Sequence, residues 1–200
     1  MSNFDLEAWR LVEAAVRLED GRQRRAGLPP QQRFRALHPH SAEFIFLLGL
    51  ATRARRTVEV GTSAGYSALW LARACAETGG SLVTLEKNPD MIDVANEHIE
   101  SAGVADLVEI IEGDARDTLA TLDEPFDLAF VDGEKAEYVA YGELLWPRLA
   151  VGASLVADNV LSHADVINPF LEWLRRLPAA ATTVLEIGNG LSWTVKVDIA

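Results

Sequence analysis

A single cysteine, Cys75, rules out any disulfide within the chain, so a core and not covalent staples must hold the fold, and a reducing compartment suits it. Cys75 lies in the alanine-rich stretch Leu71–Ala76, where a small buried thiol acts as a hydrophobe. No apolar run approaches the roughly 20 residues of a membrane helix. Acidic residues by position 5 and the lack of a leader-length apolar stretch argue against a secretory signal. A soluble, cytoplasmic protein is expected. The four histidines make no zinc pattern: His38 and His40 flank Pro39, His98 falls on a polar helical face and His163 in a loop. Internal repeats and low-complexity tracts are absent too.

Cationic charge is scarce and unevenly placed. Against 30 Asp and Glu stand 18 Lys and Arg, a net charge of −12. Residues 1–56 carry 10 basic and 6 acidic side chains, whereas the remainder carries 8 and 24. So acidic a main domain repels phosphate backbones, which argues against nucleic acid as a partner. The cluster Arg22, Arg24, Arg25 either contacts an anionic substrate tail or an acidic partner surface, or belongs to a solvated loop ending at Pro29-Pro30.

What is present is an alternating pattern. Phe4–Leu18 carries apolar residues at helical spacing (Leu6, Trp9, Val12, Val16), residues 20–32 read as a loop, and Ser41 is placed to cap a helix running to about Thr52. Short apolar runs then predict strands at Thr57–Val60, Ser81–Leu85, Val108–Ile111, Leu128–Val131, Ser154–Ala157 and Thr183–Ile187. Helical patterns lie near 65–78, 89–102, 137–149 and 164–177, and Leu191–Val197 returns as a hairpin strand after Gly188-Asn189-Gly190. The expectation is an N-terminal helical extension over 1–40 and an α/β domain over 41–200. That domain has a Rossmann-like, seven-stranded, mostly parallel sheet, one antiparallel strand at the C-terminal hairpin, and helices on both faces. Ligands in such folds bind beyond the carboxyl ends of the strands.

Three strand ends there carry suitable chemistry. The turn Glu59-Val60-Gly61-Thr62-Ser63-Ala64-Gly65-Tyr66-Ser67 joins a strand to a helix, where glycines admit close backbone approach and the helix start favours an anion. Its G-x-x-x-G spacing is neither the dinucleotide fingerprint nor a Walker loop. Glu86 ends the second strand, where a carboxylate can accept from ribose hydroxyls. Gly113-Asp114-Ala115 ends the third with a tight turn suited to an adenine edge.

With these elements in order, the sequence resembles the class I S-adenosylmethionine-dependent methyltransferases. It looks most like the branch of catechol and caffeoyl-CoA O-methyltransferases and their small bacterial relatives. The resemblance runs from about Ser41 onward and includes two elements particular to that branch, Asp132-x-x-Lys135-x-x-Tyr138 and Asp158-Asn159. It implies that Gly61, Thr62 and Ser67 hold the methionine part of the cofactor, with Glu59 at the floor of that pocket and Gly65 also among the cofactor-binding residues. It places Glu86 at the ribose, Asp114 and Ala115 at the adenine, and Asp132 and Glu134 also along the cofactor. Asp132, Asp158 and Asn159 would bind a divalent metal, and Lys135 would be the general base. A homodimer is implied, with Trp9 and its apolar neighbours buried against a partner or against the domain. Over the first 40 residues no motif aligns, and the connection Val160–His163 is shorter than in many relatives.

The chemistry bears on these roles independently. Two carboxylates and an amide suit Mg²⁺, Ca²⁺ or Mn²⁺ better than zinc, and a cation beside a hydroxyl eases its ionisation. Asp132 and Asp158 could instead cap the helices that follow, and Lys135 could pair with Glu134 or Glu137. The expected activity is methyl transfer from S-adenosylmethionine to a hydroxyl of a small, aromatic vicinal-diol acceptor. The alternatives are a metal-independent methyltransferase acting on another acceptor, a non-catalytic cofactor-binding protein and, against the missing fingerprint, a nicotinamide oxidoreductase.

Overall fold

The computed structural model describes residues 4–123 and 125–198. Helix α1 (Leu6–Arg25) starts at Asp5, whose carboxylate accepts from the Glu7 and Ala8 amides at 2.9 and 3.1 Å. It runs past the expected stop into the segment read as loop. Arg22 pairs with Glu19 and Arg24 with Asp20, each at 2.7 Å, and basic side chains in a last turn favour its free carbonyls. Helix α2 (Pro39–Thr52) is capped by His38 and not by Ser41, because Pro39 already supplies the first helical turn.

The alternation follows: β1 (Arg56–Val60), α3 (Tyr66–Thr78), β2 (Ser81–Glu86), α4 (Pro89–Ser101), β3 (Val108–Glu112), α5 (Ala115–Thr118), β4 (Phe126–Val131), α6 (Tyr138–Leu145), β5 (Leu149–Ala157), α7 (Ala164–Arg176), β6 (Ala180–Leu185) and β7 (Leu191–Lys196). Three further elements differ in their bounds from the sequence pattern. Helix α6 ends at Leu145 in a single tight turn over Trp146–Arg148, and β5 begins at once at Leu149. Strand β6 sits about three residues early, its register set by Ala180 opposite Lys196 and Leu185 opposite Leu191.

The seven strands form one sheet in the order β3-β2-β1-β4-β5-β7-β6. Only β7 is antiparallel to its neighbours. Successive residues of β4 serve opposite faces. Leu128 and Phe130 pack with α1–α4, whereas Ala129 and Val131 pack with α5–α7. Trp9 is buried within its own chain, donating from its indole Nε1 to the Leu69 carbonyl at 2.9 Å, while Leu11 and Leu18 on the same helix stay exposed. Cys75 is buried as expected. Among the described residues no helix is long and apolar enough to cross a membrane.

The strand order reverses direction between β1 and β4. From β1 the chain steps outward to β2 and β3, then returns to place β4 and β5 on the other side. The crevice over the ends of β1 and β4 is therefore where this topology presents a ligand.

Candidate functional site

Backbone hydrogen bonds extend the sheet one residue beyond each strand and hold the candidate residues in a row. Gly113 donates to Glu86, Gly61 to Leu85, Asp132 to Val60 and Asp158 to Val131, all at 2.9–3.1 Å. A cavity of about 460 Å³ opens above this row.

On the β1–β3 side the turn after β1 is tight. Gly61 has φ +98°, and a Cβ there would lie 2.8 Å from the Asp132 carbonyl oxygen. Only glycine lets the ends of β1 and β4 come so close. Ser63, at φ +47°, donates its amide to Glu86 at 2.8 Å. Glu86 also accepts from the Lys87 and Asn88 amides at 2.9 Å, so its carboxylate is fixed at the cavity wall. Below this turn, fully buried Glu59 accepts from Thr84 at 2.6 Å, and Thr84 shares a 2.6 Å hydrogen bond with Thr62. The other Glu59 oxygen has no hydrogen-bond partner. Burial pushes this carboxyl up to about 8, against the pull of the Ser67 and Thr84 hydroxyls.

On the β4–β5 side Asp132, Asp158 and Asn159 converge. The Asn159 amide nitrogen lies 2.7 Å from Asp132 Oδ1 and 3.0 Å from Asp158 Oδ2. Asn159 adopts φ +66°, a conformation that asparagine tolerates better than most residues. Lys135 Nζ donates to Asp132 Oδ1 at 2.7 Å and to the Gly133 carbonyl at 3.1 Å. Tyr138, almost wholly buried, donates its hydroxyl to the Asp158 carbonyl at 3.3 Å. Burial first, then the charge of Asp132, pushes the Asp158 carboxyl up to about 7.

This donor set fits a hard divalent cation in part. Asp158 Oδ1 is buried without a hydrogen-bond partner, which a cation would remedy. Asn159 turns its nitrogen toward the carboxylates and its oxygen toward Ser162 and Asn189, so its amide must rotate to become a ligand. Among the described residues no cluster of three or more His, Cys, Asp or Glu gathers. The candidate set is two carboxylates and an amide.

Gly61, Thr62, Ser67, Glu86, Asp114, Ala115, Asp132, Glu134, Lys135, Asp158 and Asn159 all line the one cavity. Glu59 and Gly65 do not: Glu59 lies beneath, anchoring Thr84, and Gly65 begins α3 against Ala95. Asp114 caps α5 through the Arg116 amide and pairs with the Arg116 side chain at 2.7 Å. These bonds hold its carboxyl near 2. Sequence reasoning missed Arg33, Arg35 and Leu37, which reach the cavity from the segment after α1, and Asn189 from the hairpin turn. Pro29-Pro30 marked only the end of an expected loop.

A family model described as O-methyltransferase matches residues 18–195. The catechol O-methyltransferase of Mycobacterium tuberculosis is 44% identical over 135 residues. That stretch covers 66% of this chain and 60% of the relative, so the match spans about three fifths of that protein. Among solved structures, the O-methyltransferase from Bacillus cereus in complex with SAH is similar at 29% identity and TM-score 0.80, covering 92% of this chain and 90% of its own. The O-methyltransferase from Streptomyces achromogenes involved in tomaymycin synthesis, in complex with SAM, matches at 30% identity and TM-score 0.79 with the same coverage. Sheet order, strand-end chemistry and these matches agree: this chain belongs to the O-methyltransferase family of Rossmann-like methyltransferases.

Proposed function

We propose that this protein transfers a methyl group from S-adenosylmethionine to a hydroxyl of a small aromatic vicinal diol, with a divalent cation held by Asp132, Asp158 and Asn159. The observation that carries this reading is the buried, unpartnered Asp158 Oδ1 beside Asp132, in the same cavity as the Gly61 turn and Glu86.

When bound, the cofactor supplies an electrophilic methyl group and Mg²⁺ supplies positive charge beside the acceptor oxygen. The chain's own part is alignment. The Gly61–Ser67 turn and the start of α3 suit the methionine end, and Glu86 suits the ribose hydroxyls. Asp132 and Asp158 fix the acceptor end one strand away, so donor and acceptor meet over β1 and β4. Lys135 would take the proton of the acceptor hydroxyl in its neutral form, after its ammonium has left the ion pair with Asp132 and lost its own proton to solvent.

A metal-free reading has one observation in its favour, the contact of Lys135 and of the Asn159 amide with Asp132, which offsets that carboxylate from within. Calorimetric titration with S-adenosylhomocysteine, followed by catechol methylation with and without Mg²⁺, separates the two. The metal-assisted reading expects binding, turnover that EDTA abolishes, and a loss of at least about 100-fold in Asp158→Ala, on the scale of a removed charge-stabilising group. Turnover indifferent to EDTA would favour the metal-free route, and absence of cofactor binding would sink both.

A further inference from the structure

The cavity has charges that cofactor and metal leave unused. Its acids sit on the sheet edge, whereas Arg24, Arg33 and Arg35 reach it from the N-terminal segment. Arg24 is committed to Asp20 at 2.7 Å. Of the cations nearer the sheet, Arg116 is held by Asp114 and Glu137 and Lys135 by Asp132, while Lys87 follows Glu86 at the end of β2, on the side suited to the cofactor ribose. Arg33 and Arg35 make no ion pair among the described residues, and the Arg33 Nε is shielded from water with no hydrogen-bond partner. A guanidinium N–H so placed is costly unless an acceptor arrives.

The segment that carries them is anchored. Buried Gln23 accepts from the Phe34 amide at 2.8 Å, and the Phe34 carbonyl accepts from Ser63 Oγ at 2.7 Å. The Phe34 ring meets His98 edge-on, and His98 Nδ1 donates to Ala64 at 2.8 Å. Farther along, His38 and Ser41 abut Gly188, next to Asn189 and hence to the metal edge. The strap thus crosses from the Gly61 turn to the hairpin, with an arginine on each side of its fixed Phe34. Arg35 is held there at φ +47°, a conformation arginine seldom adopts.

We propose that Arg33 and Arg35 form an anion-reading subsite at the mouth of the cavity, so that the preferred acceptor is a hydroxylated aromatic carrying an oxyanion, a carboxylate or a phosphate. The subsite rests on the reaction proposed above for its acceptor chemistry. The planar donor fork of arginine matches either oxyanion, which lysine would not do equally well. It also gives the basic N-terminal segment a function in an otherwise acidic protein.

The test compares catechol with 3,4-dihydroxybenzoate as acceptors for the wild type, R33Q and R35Q. The subsite predicts a kcat/KM at least tenfold higher for the carboxylated acceptor. That preference should fall about tenfold in each variant through KM and not kcat, and return in part in R33K. A phosphonate analogue, 3,4-dihydroxybenzylphosphonate, tells a carboxylate reader from a phosphate reader. Equal kcat/KM for the two diols in the wild type, or a preference that the variants leave unmoved, would overturn the proposal. So would loss of S-adenosylhomocysteine binding in R33Q, which would assign the arginine to the cofactor. If neither diol is methylated, the reaction reading fails by itself, and binding of the diols to the S-adenosylhomocysteine complex decides the subsite. Tighter binding of the carboxylate, lost in R33Q, supports it, and equal binding rejects it.

Discussion

A side chain at position 61 would collide with the chain's own opposite edge. With φ at +98° and the Asp132 carbonyl oxygen only 2.8 Å from where a Cβ would sit, Gly61→Ala must shift either the turn proposed to hold the cofactor or the acidic edge. Backbone strain alone costs about 1–3 kcal/mol, so urea unfolding should show at least that loss, and cofactor affinity should fall with it. Glu59 yields a different prediction, in pH. Its carboxyl is raised from 4.5 to about 8 by burial. Between those values the folded protein holds a proton that the unfolded chain has released, so the contribution of Glu59 to stability is full below about pH 4.5 and declines as pH rises toward 8. The slope is at most about 1.4 kcal/mol per pH unit. Glu59→Gln removes the titration, and its stability profile between pH 5 and 8 should be flatter than that of the wild type by up to that slope. Parallel profiles would mean that Glu59 stays ionised when buried.

At the scale of elements, the strap between α1 and α2 depends on few bonds. Gln23→Ala deletes the acceptor of the Phe34 amide, and a hydrogen bond of this kind is worth about 1 kcal/mol. Exchange of that amide, followed by NMR, should speed up by roughly fivefold or more while the amides of β1 and β4 keep their protection. Equal acceleration throughout would mean that the strap opens only with the whole domain. What the sequence disclosed tracks how locally each element is determined. β1, β2, β3 and β4 were legible within two residues because each is a short apolar run with turn residues on both sides. The start of β5 was not, since Gly152 interrupts the run and only pairing of Leu149 with Phe126 extends it. α1 outran its pattern because Glu19, Asp20, Arg22 and Arg24 support its last turn through ion pairs that apolar periodicity does not register. The strand-end residues line one cavity because the topology obliges strand ends to share one edge. Arg33 and Arg35 had no motif, and their place follows from contacts of Phe34 with residues far along the chain.

At the scale of the molecule, charge decides how a cation meets this protein. Beyond residue 56 the chain holds 24 acidic and 8 basic side chains. Glu86, Asp114, Asp132, Glu134, Glu137 and Asp158 all face the one cavity, where low-dielectric walls concentrate the field. A divalent ion proposed to bind between Asp132 and Asp158 is therefore attracted by the immediate pair and by a diffuse negative surround. Added salt should affect these differently. Screening shortens the reach of the surround from about 30 Å at 0.01 M ionic strength to about 8 Å at 0.15 M, and hardly touches a buried pair. Titration of Mn²⁺ into the S-adenosylhomocysteine complex should thus show an affinity that falls several-fold across that range and then levels off at higher salt. Asp158→Asn should lower the plateau while leaving the salt-dependent part intact. Glu134→Gln and Glu137→Gln should reduce the salt-dependent part and spare the plateau. A salt response that vanishes entirely in Asp158→Asn would place the whole attraction in the buried pair and leave the acidic surround without a part in metal capture.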